Sequence, residues 1–281
     1  MSIRSVAKFL KLKQLSSKFN FNASLYLNNK KFKIPIIKNL GLLNLKVKED
    51  WFFNFLKDLK LPSDTSFIDV GVNVGQTLLT FRSLYNNPYY GFEPNPSCVF
   101  YLHNLMEVNG MLNTHILPIG LSSENSLGRF YLKNEVDSAG TIVKDLRPDY
   151  YETEKISYVP LFTFETVGLN EIKPISLIKI DVEGAELEVI TGLINTIKKH
   201  QPLIICEVLD CHSESSIQAM QERATKLFAL IQTCGYTVYR IIHKTKLELE
   251  EVKQIKLKLW EPSSFDLNDY LFVPGNAKKP F

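Results

Sequence analysis

The segment Phe67-Ile68-Asp69-Val70-Gly71-Val72-Asn73-Val74-Gly75-Gln76 limits the fold more than any other. A short apolar run meets two glycines with three residues between them, and a helix-compatible stretch, 77–85, follows. That order describes a buried strand turning sharply into a helix. It recurs along the chain. Tyr89 to Phe92 reads as the next strand, followed by a helix from Pro96 to about Asn109, with Asn95 as its cap and Pro96 at its first position. Residues 115–119 read as a third strand. Residues 128–133 and 156–162 are strand-like. Ile175 to Ile180, Leu203 to Val208, Tyr236 to Ile241 and Tyr270 to Val273 are further strands. Helices are expected over 51–61, 185–199 and 215–233, and the charged stretch 244–258 is ambiguous. Strands alternating with helices predict an α/β fold: a doubly wound, mainly parallel sheet with helices on both faces. In such sheets ligands sit beyond the carboxyl ends of the strands.

The glycine segment fits D-x-G-x-x-x-G. It is not the G-x-G-x-x-G of a dinucleotide cradle, because position 73 is Asn. Glycine permits close approach of a ligand to backbone at a tight turn. Asp69 stands where a phosphate would be repelled and suits a ligand carrying an ammonium or a sulfonium. Glu93 follows the second strand, 22 residues after Gly71, near the spacing at which an acid accepts hydrogen bonds from ribose hydroxyls. An adenosine-type ligand with no phosphate grip and a cationic tail is asked for, and S-adenosylmethionine answers that description.

A second acidic cluster lies in Ser176-Leu177-Ile178-Lys179-Ile180-Asp181-Val182-Glu183-Gly184-Ala185-Glu186. Asp181 is at the strand end, facing the same crevice. Glu183 suits a helix start, and Glu186 and Glu188 read as a solvated helix face. Glu207 ends the next apolar strand, where an acid is costly unless partnered or facing a cleft. His212 lies five residues on.

Charge is unevenly distributed. All 11 basic residues from Arg4 to Lys48 precede the first acid, Glu49, and the other 233 residues carry 22 basic and 30 acidic side chains. This divides the chain into a basic extension, residues 1–48, and an acidic domain, residues 49–281. Within the extension, residues 1–18 have the pattern of an amphipathic helix, and residues 22–37 that of a β-hairpin around Asn28-Asn29-Lys30. Lysines at 8, 11 and 13 interrupt any signal-peptide core, and no stretch reaches the ~20 apolar residues of a membrane span. The four scattered cysteines read as reduced core thiols, and a cytoplasmic location is expected. The basic residues 1–18 suit a peripheral contact with a membrane or a lipid-linked glycan. Nucleic acid is a poor fit, since aromatic residues are not interleaved with the lysines.

Phe67–Gln76, Tyr90–Pro96 and above all Leu177–Gly192 (LIKIDVEGAELEVITG) resemble the FkbM-like family of S-adenosylmethionine-dependent methyltransferases. The likeness continues through Pro202–Glu207 and extends over roughly residues 45–275. It implies a class I methyltransferase fold, a seven-stranded Rossmann-like sheet with one antiparallel strand near its end. It implies methyl transfer to a hydroxyl of a sugar, glycan or related natural product. By position, Asp69, Gly71, Gly75 and Gln76, with Asn73, line the methionine side of the cofactor. Glu93 binds the ribose, with Asn95 beside it, and Gly120, Leu121 and Ser122 lie near the adenine. The same likeness makes Asp137-Ser138-Ala139-Gly140-Thr141 a substrate-side segment. For the base that receives the acceptor's proton the candidates are Asp181, then Glu207 and His212. No obligate metal is expected. The alternatives are a nicotinamide-dependent oxidoreductase or epimerase, disfavoured by Asn73 and by the lack of a Tyr-x-x-x-Lys dyad after the fourth strand, and a non-catalytic S-adenosylmethionine-binding module.

Overall fold

Asn28 and Asn29 both take positive φ, 46° and 59°, the conformation a two-residue hairpin turn requires. They join β1 (Phe21–Leu27) to β2 (Lys30–Ile36) in antiparallel register. The computed structural model describes residues 18–48, 50–133, 140–143, 155–169, 172–243, 247–275 and 277. The helix expected over 1–18 and the stretch 137–139 therefore lie outside the described residues, save Lys18.

Asp50 caps α1 (Trp51–Leu59), accepting the N–H groups of Phe52 and Phe53 at 3.1 and 3.4 Å, and Lys60 ends it in the left-handed conformation. Then come β3 (Ser66–Val70), α2 (Gln76–Leu84) and β4 (Tyr89–Phe92). In α3 (Pro96–Asn109) Asn95 Oδ1 accepts from Ser97 N–H at 3.0 Å, as its sequence predicts. β5 (Thr114–Leu117), β6 (Gly120–Leu121), β7 (Ser126–Leu132) and β8 (Lys155–Phe162) follow, then the short α4 (Phe164–Val167) and β9 (Ile175–Ile180).

The expected single helix over 185–199 is two: α5 (Glu186–Gly192) and α6 (Ile194–His200). A Cβ on Gly192 would lie 2.0 Å from the carbonyl oxygen of Ser122, so the chain turns where the helix presses on the β6 loop. β10 (Leu203–Glu207), α7 (Glu214–Thr233), β11 (Tyr236–Ile242), β12 (Glu248–Glu251) and β13 (Asp269–Pro274) complete the order.

The main sheet runs β12-β11-β13-β10-β9-β3-β4-β5. The β3–β4, β4–β5, β3–β9 and β9–β10 pairs are parallel, and β13 is antiparallel to both β10 and β11. The expected sheet has seven strands, and among the described residues the structure has eight: β12, from the ambiguous charged stretch, adds antiparallel to β11 at the edge. Charged side chains are compatible with that position because an edge strand leaves one side in water.

Successive strand residues face opposite layers. Leu177, Ile205 and Leu271 join a core with the hairpin, α1, α2 and α3, whereas Ile178, Ile204 and Phe272 join one with α5, α6 and α7. Leu25, Leu27, Phe32, Ile34 and Ile36 of the hairpin share the first core with Tyr101, Leu102 and Leu105 of α3. The basic extension is thus continuous in packing with the domain from residue 21 on, and its boundary at 48 is one of charge. A separate three-stranded sheet, β6-β8-β7, carries a small core of Phe130, Leu132, Val159 and Leu161 beside the main sheet. All four cysteines are buried. Among the described residues no helix is long and apolar enough to cross a membrane.

Candidate active site

A cavity of about 260 Å³ opens at the carboxyl ends of β3, β4, β9 and β10, roofed by the three-stranded sheet. Gly71, Asn73 and Gln76 form its floor at the β3–α2 turn, where Gly71, Asn73 and Gly75 all have positive φ. A Cβ on Gly71 would lie 1.8 Å from the carbonyl oxygen of Asp181. Asp181 N–H also donates to the Val70 carbonyl at 2.9 Å. The glycine is therefore required to let the ends of β3 and β9 meet, which sets the acid of one strand beside the turn of the other.

Glu93 joins two loops. Its Oε2 accepts the Asn73 N–H at 2.7 Å and its Oε1 the Asn95 N–H at 2.8 Å. The side chain is buried in the cavity wall. Burial pushes its carboxyl up to about 7 against the two amides, and the charges of Asp69 and Asp181 add to the rise. A carboxylate has about four lone-pair positions, so two amide bonds leave capacity for hydroxyl groups in the cavity.

On the other side, Lys179 Nζ donates to Asp181 Oδ2 at 2.7 Å. Burial opposes the lysine's charge, but Asp181, Asp69 and Glu207 outweigh burial and raise its proton affinity. Glu207 also lines the cavity, and its carboxyl is pushed well up by burial and then by Asp181 and Asp269. Lys179 is the residue that sequence reasoning missed. The signal was present: a lysine inside an otherwise apolar parallel strand needs a buried partner.

Glu183 takes φ 54° at the cavity edge, and its carbonyl accepts from Thr141 Oγ1 at 2.5 Å. This ties residues 140–143, the described part of the expected substrate-side segment, to the loop after β9. Gly140, Ile142, Phe130 and Leu161 supply apolar wall, with Pro94, Gly120 and Leu121 opposite the carboxylates.

The cavity thus brings together Gly71, Asn73, Gln76, Glu93, Asn95, Gly120, Leu121, Asp181 and Glu207 of the expected site. Four expected residues are elsewhere. Asp69 is fully buried beneath the wall and accepts a hydrogen bond from the Tyr89 hydroxyl. Burial pushes it up to about 7, with Lys179 and Tyr89 pulling the other way. Gly75 begins α2 and packs on Leu102 and Leu105. Ser122 donates its N–H to Phe162. His212 is exposed and stacks on Trp260 at 5.5 Å, away from the cavity wall; its closeness in sequence to Glu207 is not closeness in space. Among the described residues no three His, Cys, Asp or Glu side chains are grouped to hold a metal ion.

The arrangement has a hydroxyl-accepting carboxylate at one strand end, apolar walls suited to a flat ring, and carboxylates that favour a cation at the other end. It has no glycine-rich cradle for phosphates. Those are the features an adenosyl sulfonium would need, so the residues present fit that cofactor.

The profile of the "Methyltransferase FkbM domain" family matches residues 69–238. A methyltransferase, sdnD of Sordaria araneosa, is 27% identical over 208 residues, 64% of this chain and 76% of its own. Among solved structures, the methyltransferase FkbM of Methylobacillus flagellatus KT superposes with a TM-score of 0.46 at 12% identity. That superposition covers 96% of this chain and 58% of the other, so the chain spans less than two thirds of that relative's length. Aeropyrum pernix fibrillarin, solved with S-adenosyl-L-methionine, gives a TM-score of 0.45 at 9% identity, covering 89% of this chain and 81% of its own.

Proposed function

The chain belongs to the FkbM-domain methyltransferase family, and from that premise we propose that it moves a methyl group from S-adenosylmethionine to a hydroxyl of a sugar, glycan or related natural product. The observation that carries the cofactor assignment is Glu93, whose buried carboxylate is fixed by the amides of Asn73 and Asn95 at 2.7 and 2.8 Å. A fixed acceptor at the end of the second parallel strand suits a ribose diol. Gly71, Asn73 and Gln76 stand on the methionine side in this reading, and Asn95, Gly120 and Leu121 on the adenosine side.

When bound, the cofactor supplies an electrophilic methyl on a sulfonium. The chain's own task is to hold the acceptor oxygen in line and to take its proton. Asp181 is the base in this reading. It faces the cavity, with its side chain 36% exposed, and Lys179 fixes one of its oxygens. Glu207 stands beside it, its proton affinity raised by burial, and can donate to Asp181. The walls formed by Phe130, Ile142 and Leu161 keep water from the cationic end. His212, being outside the wall, has no part in this step.

The test is transfer of labelled methyl from S-adenosylmethionine into fractionated cell extract: neutral glycan, lipid-linked glycan, small molecule and RNA. Label in a glycan or small-molecule fraction, lost with Asp181→Asn, is the expected result. Label confined to RNA, or none at all, contradicts it.

A further inference from the structure

Residues 140–143 form a strap that joins the roof of the cavity to the loop after β9. Thr141 is its fixed point. The Thr141 N–H donates to the Tyr131 carbonyl of β7 at 3.1 Å, and the Tyr131 N–H donates to the Thr141 carbonyl at 2.8 Å. The Thr141 hydroxyl donates to the Glu183 carbonyl at 2.5 Å and accepts the Val143 N–H at 3.0 Å. Thr141 is 1% exposed. Along an extended backbone successive side chains take opposite sides, and the neighbours of Thr141, Gly140 and Ile142, line the cavity. Gly140 is pressed on the roof: a Cβ there would lie 2.6 Å from both Phe130 Cζ and Leu132 Cδ2. Val143 packs with Leu209 and Ile217 against Cys211 and Met220.

The loop that Thr141 grips is itself held. Glu183 and Gly184 both take positive φ, 54° and 103°. The Gly184 N–H donates to Glu186 Oε1 at 2.7 Å, and Arg223 of α7 donates to the Gly184 carbonyl at 2.9 Å. A glutamate in the left-handed region is disfavoured and persists only where its surroundings over-determine it. In that conformation the Glu183 carbonyl meets the Thr141 hydroxyl, two residues beyond Asp181. The strap is therefore fastened to a rigid loop at the Asp181 end of the cavity.

Resting on the reading of the site as a hydroxyl methyltransferase, we propose that Thr141 is a positioning residue for the acceptor: its hydroxyl locks Ile142 in the cavity wall, and Ile142 sets which acceptor hydroxyl reaches Asp181. The acceptor that fits has one apolar face and hydroxyls at its edge. Ile142, Phe130 and Leu161 meet the face, and Asp181 and Glu207 meet the edge. A sugar ring has that form, with C–H groups on a face and hydroxyls around the rim. Ile142 has no polar group with which to fix itself, so its place is set by the neighbour that does. A wall displaced by about 1 Å leaves the reacting hydroxyl out of line with the methyl. The cofactor contacts assigned above come from the loops after β3 and β4 and from β6, so the effects of the strap on acceptor and on cofactor separate.

The test uses the full chain, labelled S-adenosylmethionine and the extract fraction that the wild type methylates, with initial rates taken over a dilution series of that fraction. Thr141→Val keeps the shape and removes the hydroxyl. It should lower kcat/KM for the acceptor at least about tenfold, while the Kd for S-adenosylmethionine stays within about twofold of wild type and the number of sites per chain is unchanged. Thr141→Ser, which keeps the hydroxyl, should recover most of that loss. Ile142→Ala removes the wall rather than its fastening and should likewise lower kcat/KM at least about tenfold with cofactor binding intact. A threonine that only stabilised the fold would reduce the fraction of chains that bind S-adenosylmethionine along with the turnover. That pattern overturns the proposal. So does Thr141→Ser as poor as Thr141→Val, or acceptor kinetics that Thr141→Val or Ile142→Ala leaves unchanged. If the wild type binds S-adenosylmethionine yet labels no fraction, the hydroxyl methyltransferase reading fails and takes the strap proposal with it; wild-type labelling that Thr141→Val leaves unchanged sinks the strap proposal alone.

Discussion

Lys179 serves three acids at once. Its ammonium is bonded to Asp181 and acts on Asp69 and Glu207. Replacing it with methionine keeps the stem but leaves Asp69, Asp181 and Glu207 without their cation. Lys179→Met should therefore lower the unfolding free energy by about 3 kcal/mol in urea titration; an unchanged midpoint would show that the acids neutralise themselves. The same crowding predicts a pH dependence. Burial raises Asp69, Glu93 and Glu186 to about 7 each. An acid with a raised folded pKa stabilises fully below its unfolded value, near 4, and loses that contribution as pH rises through 7. Thermal unfolding of the ligand-free protein should therefore fall between pH 5 and pH 8. Glu186→Gln should make the fall shallower without touching the cavity wall, and a midpoint that rises over this window would contradict the assignment. Glu93 and Asp181 were legible in the sequence because an acid that ends an apolar strand must face something polar. Asp69 was not. Pleat parity sets it on the face of Phe67 and Tyr89, while Val70 reaches the cavity, and a motif read by spacing alone does not reveal which side a residue takes.

Elements were read well where turn chemistry is local. Asn28-Asn29, the Asn95 cap and Pro96 each dictate their own backbone, and the strands feeding the cavity fall within a residue or two of their expected bounds. What escaped depended on distant contacts. The break between α5 and α6 arises because Gly192 lies against the Ser122 carbonyl, 70 residues away in sequence. Gly192→Ala should cost about 1–3 kcal/mol by forcing the helix off the β6 loop. Denaturant unfolding measures this, and a neutral substitution would mean that the break has another cause. β12 escaped because its Glu-Leu-Glu-Glu sequence lacks the apolar face of an interior strand; it pairs only by lying along β11 at the sheet's edge. His212 was placed by chain proximity to Glu207, whereas Trp260 holds its ring outside the cavity.

At the scale of the molecule the acids are gathered where the parallel strands end, and the topology explains why. β3, β4, β9 and β10 all point their carboxyl ends at one crevice, so Asp181, Glu93 and Glu207, separate in sequence, share a single cavity. The charge split between residues 1–48 and the remainder does not mark a packing boundary, since the hairpin lies in the domain's own core. The central claim is that this cavity holds S-adenosylmethionine by way of Glu93. Calorimetric titration of the full chain with S-adenosylmethionine tests it most directly. The account predicts one site per chain, with an affinity that falls at least about tenfold in Glu93→Ala, as loss of hydrogen bonds to a charged acceptor should produce. Absence of binding, or binding that Glu93→Ala leaves unchanged, would contradict it.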